Sequence, residues 1–307
     1  MYNKIRDKLI ESVRRNKADG ILFSGGLDTS ILAALQPEAV MINVCLENYA
    51  PDLKFAKMLQ EFLGLKVYYL TIKTDEAISV IPKIVKIIKS FDPAIPNDIP
   101  VYFGLKFAKQ LGLKTVTTGD GADELFAGYR YMRIITHLSK YIKDIARNMY
   151  FTSNEIGKYF GLKIKQPYLD KEFRDFSLVI PTNLKIKKIH RKLIGKWILR
   201  KAFENVLPEK IIWQNKRPLE YGSGMTKLRE IISSKITDDE FTQMSKFLSV
   251  KFINKEHFYY YKIYKDIVGK IPKPIENQKA CPCCGAGMNQ SSSHCRTCGY
   301  ISASDFQ

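Results

Sequence analysis

Two stretches of this chain concentrate residue types that act on phosphate. The first, Ser24-Gly25-Gly26-Leu27-Asp28-Thr29-Ser30, follows the apolar run Gly20-Ile21-Leu22-Phe23 and leads into Ile31-Leu32-Ala33-Ala34-Leu35. A strand that turns through two glycines into a helix N-terminus is an anion site in physical terms. Glycine lets backbone N–H groups approach, the hydroxyls of Ser24, Thr29 and Ser30 add donors, and the helix end adds partial positive charge. The Gly-Lys-Ser/Thr of the common P-loop is missing, as is the third spaced glycine of a dinucleotide loop. An ordinary glycine-rich turn is the competing interpretation.

The second stretch, Gly119-Asp120-Gly121-Ala122-Asp123-Glu124-Leu125-Phe126-Ala127-Gly128-Tyr129, sets three carboxylates and three glycines close together. Acids beside a phosphate loop repel its ligand unless cations lie between them. The pair therefore implies Mg²⁺ held by Asp28 and Asp123 and shared with phosphate oxygens; a solvated acidic turn is the alternative. At the far end of the chain, Cys281-Pro282-Cys283-Cys284-Gly285 and Cys295-Arg296-Thr297-Cys298-Gly299 form two Cys-x-x-Cys knuckles. Four thiolates at this spacing suit one tetrahedral Zn²⁺, with Cys281, Cys284, Cys295 and Cys298 as ligands and Cys283 as the odd one. A ribbon so poor in apolar residues is expected to unfold without its metal.

The elements that must position these residues alternate in type. Apolar runs at 20–23, 40–46, 66–72 and 114–118 read as buried strands, and residues 4–16, 51–63, 75–90 and 101–110 as helices. Three prolines make 91–100 irregular. Strand–helix alternation predicts a parallel sheet covered on both faces, with ligands at the carboxyl ends of its strands. Both phosphate-type stretches leave strands at that edge. Further on, Lys188, Lys192, Lys196 and Arg200 recur every four residues and are expected along one helix face, with Ile189, Leu193, Trp197 and Ile198 on another. His190 reads as a surface or core histidine. Lys255 to Lys265, with Phe258, Tyr259, Tyr260, Tyr261 and Tyr264, reads as a docking helix, and Lys270-Ile271-Pro272-Lys273-Pro274 as a stiff linker.

The net charge of +18 is unevenly placed. Residues 1–129 carry 16 Lys+Arg against 15 Asp+Glu, whereas residues 130–280 carry 32 against 15. The basic middle either meets a polyanion such as RNA or forms solvated helix faces. No run approaches a membrane-spanning length, and the N-terminus has no apolar signal core, so a cytoplasmic protein without a membrane partner is expected.

At this level of detail the chain resembles the synthetase domain of asparagine synthetase and, less closely, the β-lactam synthetases built on that domain. The resemblance rests on the 24–30 loop, Pro51-Asp52-Leu53, Asp92 with Ile99-Pro100, and the Gly119–Tyr129 block. It continues through Gln166-Pro167-Tyr168-Leu169-Asp170, Lys196-Trp197-Ile198-Leu199-Arg200, Leu207-Pro208 and Lys216. It implies an α/β fold: a parallel, doubly wound sheet of the adenine nucleotide α-hydrolase (PP-loop) type, with a helical extension and, here, a small C-terminal zinc ribbon. The expected divisions are 1–235 (nucleotide core 1–130, helical part 130–235), a basic and aromatic helical linker over 236–278, and the ribbon over 279–307.

The resemblance also implies a reaction. A carboxylate attacks the α-phosphate of ATP, pyrophosphate leaves, and ammonia or an amine displaces AMP from the acyl-adenylate. It assigns Leu22, Ser24, Gly25, Gly26, Asp28, Thr29, Ser30, Val44 and Gly119 to ATP, Leu22 and Val44 on the adenine side. Lys216 becomes the phosphate-contacting lysine, with Asp120 and Asp123 as its catalytic companions. Two departures qualify it. The family usually has Glu where this chain has Asp120, a shorter reach toward the second-step nucleophile. Full-length relatives begin with a glutaminase domain whose nucleophilic cysteine follows Met1; here residue 2 is Tyr and about 20 residues precede the loop. The nitrogen is thus expected from free ammonia, an amine or a separate glutaminase subunit. Two other readings stay open: a tRNA-modifying enzyme that docks through the basic middle and the ribbon, and a non-catalytic ATP-binding scaffold.

Overall fold

The computed structural model describes residues 1–302. Five of its strands form one parallel sheet: β1 (Gly20–Leu22), β2 (Val40–Leu46), β3 (Val67–Ile72), β4 (Thr115–Thr117) and β5 (Lys163–Lys165), in the order β3-β2-β1-β4-β5. β1 lies between β2 and β4, with Ile21 opposite both Met41 and Thr117. The winding reverses at that point, which opens a crevice beyond the carboxyl ends of β1 and β4. Side chains alternate across the sheet, so Met41 joins a core with α1 (Tyr2–Arg15) and α2 (Leu27–Leu35), and Ile42 joins the core on the other face. Each fully buried side chain of this size stabilises the fold by about 1.5–3 kcal/mol. α3 (Leu53–Leu63) ends at Gly64, whose φ of 65° only glycine adopts readily.

Three sequence expectations fail, each for a local reason. The helix expected over 75–90 is two, α4 (Thr74–Ser79) and α5 (Ile81–Ile88), because Pro82 has no N–H to carry the first helix onward. The stretch 91–100 is not irregular throughout: α6 (Ile95–Gln110) begins inside it. Pro96 falls in the first turn, where N–H groups lack intrahelical acceptors anyway, so Pro100 alone costs a ladder bond. The third failure is the basic stripe. Lys188, Lys192, Lys196 and Arg200 do not share a helix face, because 187–194 is an antiparallel hairpin of β6 (Lys187–Ile189) and β7 (Lys192–Ile194), turned at His190 and Arg191. Its lysines, its arginine and His190 are exposed, while Lys196 and Arg200 are buried beyond it.

The aromatic helix Lys255–Ile267 packs inward as expected of a docking helix. Tyr261 and Tyr264 meet the Phe91 ring edge-on at 5.3 and 5.1 Å. The cysteine segment, with β8 (Gln278–Ala280) paired to β9 (Gly287–Asn289), shares that core. It is stitched to the body by backbone: Phe91 N–H donates to Thr297 O at 2.8 Å, and Lys251 N–H to Cys283 O at 2.9 Å. Among the described residues, no helix is long and apolar enough to cross a membrane.

Candidate active site

The glycine turn owes its shape to its own hydroxyls. Ser24 Oγ accepts from Gly26 N–H at 3.1 Å, Thr29 Oγ1 accepts from Ser24 N–H at 3.3 Å, and Ser30 Oγ donates to Gly26 O at 2.7 Å. Gly25 sits at φ +75°, and a Cβ there would meet Ala56 N at 2.6 Å, so the turn needs glycine for both conformation and space. The first helical bond of α2 is Ser30 N–H to Gly26 O. The N–H groups of Leu27, Asp28 and Thr29 therefore precede the ladder and have no acceptor within the helix. Ser24, Gly26, Asp28 and Thr29 line a cavity of about 760 Å³ together with Leu22, Val44, Gly119, Asp120, Asp123 and Lys216. Gly25 and the fully buried Ser30 are not on its wall; they shape the turn from behind.

The acidic turn follows β4, the neighbour of β1, and this adjacency brings Asp123 to Asp28. Both carboxylates bind one ammonium: Lys196 Nζ is 2.6 Å from Asp28 Oδ2 and 2.7 Å from Asp123 Oδ1. Lys216 Nζ takes the other oxygen, Asp123 Oδ2, at 2.7 Å. Lys196 has the left-handed backbone (φ 55°, ψ 27°) and is only 2% exposed. Its N–H donates to Phe126 O at 2.9 Å, which ties the helix Trp197–Ala202 to the acidic turn. Gly128 makes room for this arrangement, since a Cβ there would overlap Asp123 and the Lys196 side chain.

Burial acts to raise the Asp123 carboxyl, but the two ammonium groups outweigh it and hold it at about 2. Burial likewise acts against the charge on Lys216, and Asp123, then Asp28, keep it well above the ordinary lysine range. Glu124 next door is pushed up to about 7, first by burial and then by the Asp123 charge, while Tyr129 donates to it at 2.6 Å.

Asp120 is a held carboxylate. Its Oδ2 accepts from Thr118 Oγ1 at 2.6 Å, Ser153 Oγ at 2.7 Å and Gln166 Nε2 at 2.9 Å. The Gln166–Asp170 segment thereby acquires a structural reason: Tyr168 OH also donates to Asp28 O at 3.0 Å, and Asp170 pairs with Arg15. Sequence reasoning missed Asp98, whose carboxyl burial raises to about 7 and to which Thr152 Oγ1 donates at 2.5 Å. It also set Lys196 in a basic helix stripe; the signal of a role at the site was that the same lysine opens the matched segment Lys196-Trp197-Ile198-Leu199-Arg200.

The two carboxylates that face each other across Lys196 are hard oxygen donors of the kind and number with which proteins hold Mg²⁺ jointly with substrate phosphates. The cysteines present the opposite chemistry. Cys281, Cys284, Cys295 and Cys298 bring their sulfurs within 4.8 Å of one another, and none is in a disulfide. The Cys281–Cys298 and Cys284–Cys295 sulfurs are 3.6 and 3.8 Å apart. A tetrahedral ion with metal–sulfur bonds of ~2.3 Å needs sulfur–sulfur edges of about 3.8 Å, so the set is compatible with zinc. Cys283 stands outside it and donates to Lys251 O at 2.8 Å. Cys45 lies buried at the cavity wall, 3.9 Å from the Thr71 hydroxyl.

A parallel sheet with a glycine turn and an acidic turn meeting at its switch point is a nucleotide-type α/β fold of the PP-loop class. Within that class the chain belongs to the asparagine synthase family, whose model matches residues 4–152 and 138–260. It is 28% identical over 243 residues to the glutamine-hydrolysing asparagine synthetase of Asparagus officinalis, covering 71% of this chain and 41% of that protein. To asparagine synthetase B of Escherichia coli (strain K12) it is 27% identical over 298 residues, covering 86% of this chain and 53% of that one. The chain thus spans about half the length of the curated relatives it matches. A solved structure, NMN synthetase from Francisella tularensis, superposes with a TM-score of 0.40 at 15% identity, covering 90% of this chain and 97% of that one.

Proposed function

We propose that the chain is an ATP-dependent ligase that joins a carboxylate to ammonia or an amine, with AMP and pyrophosphate as products. The observation that carries this reading is the convergence of Asp28 and Asp123 on Lys196 in one cavity with the glycine turn and Lys216. In-line attack of a carboxylate on the α-phosphate brings two anions together, and positioned cations are what lower that barrier. The N–H groups of Leu27, Asp28 and Thr29 bind the departing pyrophosphate. Lys216, a quarter exposed, turns from Asp123 toward the phosphate oxygens. Leu22 and Val44 border the adenine.

Asp28 and Asp123 would hold Mg²⁺, which when bound would neutralise phosphate charge. Asp120 keeps Ser153 and Gln166 oriented at the acid end of the cavity. Cys281, Cys284, Cys295 and Cys298 would hold Zn²⁺ with no open position, a structural role. The nitrogen comes from free ammonia, an amine or a partner glutaminase.

The test is radiolabelled pyrophosphate–ATP exchange over a panel of carboxylic acids with Mg²⁺ and Zn²⁺ present. At least one acid should support exchange, and Asp123→Ala should abolish it; silence with every acid would sink the reading. A second reading, docking of a tRNA, draws on the β6–β7 hairpin, where Lys187, Lys188, Arg191 and Lys192 are all exposed. It requires tRNA affinity that falls steeply with salt.

A further inference from the structure

The cavity has a second end, away from the glycine turn, and its wall there is the cysteine segment. Ser292, Ser293, His294 and Arg296 line it beside Tyr150 and Asp92. This wall is fixed in place. Thr297 O accepts from both Phe91 N–H and Ser90 Oγ, at 2.8 and 3.1 Å, and Asn148 Nδ2 donates to Ser291 Oγ at 3.2 Å. Gly299 abuts Asp92 so closely that a Cβ would meet the carboxylate at 2.5 Å.

The charges around the cavity then become informative. Lys196 and Lys216 are bound by Asp28 and Asp123, Arg217 by Asp52 at 2.5 Å, and His294 by Asp92 at 3.1 Å. Arg200 donates to the carbonyls of Gly195, Ile212 and Gln214. Arg296 differs from all of these. Its guanidinium lies over the Tyr150 ring, 4.4 Å from the centroid, it is exposed, and among the described residues no carboxylate comes within ion-pairing distance of it. Stacking orders an arginine without consuming its edge N–H donors, which remain a fork that fits a carboxylate or phosphate.

We propose that Arg296 is a specificity residue of the proposed ligase, recognising a second oxyanion on the acid substrate, so that the cysteine ribbon selects dianionic acids. The inference rests on the ligase reading in giving the cavity's other end to ATP. It places the group to be adenylated between the two ends, with the second carboxylate or phosphate of the same molecule on the ribbon.

The experiment is equilibrium binding of three probes to full-length, zinc-loaded protein: succinate, phosphoglycolate, and glycolate as the monoanion. Succinate or phosphoglycolate should bind at least tenfold tighter than glycolate, and which of them does so distinguishes a carboxylate from a phosphate recognition group. Arg296→Ala should remove that advantage, Arg296→Lys should keep part of it, and Tyr150→Leu should reduce it less. Zinc content and binding of a fluorescent ATP analogue should be unchanged in all three variants. Dianions that bind no tighter than glycolate, an advantage that survives Arg296→Ala, or an equal loss for all three probes would each overturn the proposal. Failure of pyrophosphate exchange with every acid would remove the ligase reading instead, without touching the binding difference.

Discussion

One end of the cavity and the ribbon behind its other end solve the same electrostatic problem differently. At the end formed by the glycine and acidic turns, two largely buried carboxylates from different loops are neutralised by lysines of the chain itself, Lys196 and Lys216. In the ribbon behind the other end, four thiols converge within 4.8 Å of one another. The first site can assemble empty, because its counter-charges are covalently part of the fold. The second brings together groups that, once ionised, repel one another until a metal arrives. Metal dependence should therefore separate the two ends.

The largest effect expected is from chelation. Stripping zinc, or Cys284→Ser, should remove hydrogen-exchange protection across 278–302 while leaving β1, β2 and the glycine turn protected; the binding energy at stake is on the order of 10 kcal/mol. Loss of protection at both ends together would break the contrast. Next in size is Lys196→Ala, which strands the largely buried Asp28 carboxylate, leaves Asp123 with Lys216 alone and should cost about 3–5 kcal/mol in denaturant unfolding. Lys216→Ala, at a quarter-exposed position, should cost much less stability and chiefly activity.

A pH effect sharpens the picture further. The Asp98 carboxyl is raised from 3.8 to about 7 by burial, so the folded state takes up a proton that the unfolded state has lost between those values. Folding stability should decline as pH rises from 4 through 7. Asp98→Asn should be the more stable protein at pH 8, by at most about 4 kcal/mol, with the gap closing toward pH 4. The smallest effect is Ser153→Ala, which removes one of the three donors to Asp120 and should cost about 1 kcal/mol. A larger loss there would mean that Asp120 carries more than orientation.

Legibility followed the range of the interactions. The span of β2, the Gly64 stop of α3 and the grouping of Cys281, Cys284, Cys295 and Cys298 were readable because each depends on short sequence spacings. Pairing Cys281 and Cys284 with Cys295 and Cys298 also left Cys283 as the spare, and its thiol does point elsewhere, to Lys251 O. The basic stripe misled because four-residue spacing is as compatible with a hairpin followed by a short helix as with one helix. The turn at His190, where φ is 45°, breaks that period without any glycine or proline to announce it.

What the sequence determined alone was the kind of chemistry: glycines and hydroxyls for an anion, clustered acids that demand cations, thiols for a soft metal. Those are properties of residue types and short spacings. Tertiary structure decided which cations answer which acids, and which parts of the chain face each other. Lys196 reaches Asp28 only because β1 and β4 are neighbours, and Arg296 faces the cavity only because Phe91 and Ser90 clamp Thr297. Each of these depends on pairing between segments far apart in the chain, and no local spacing encodes that.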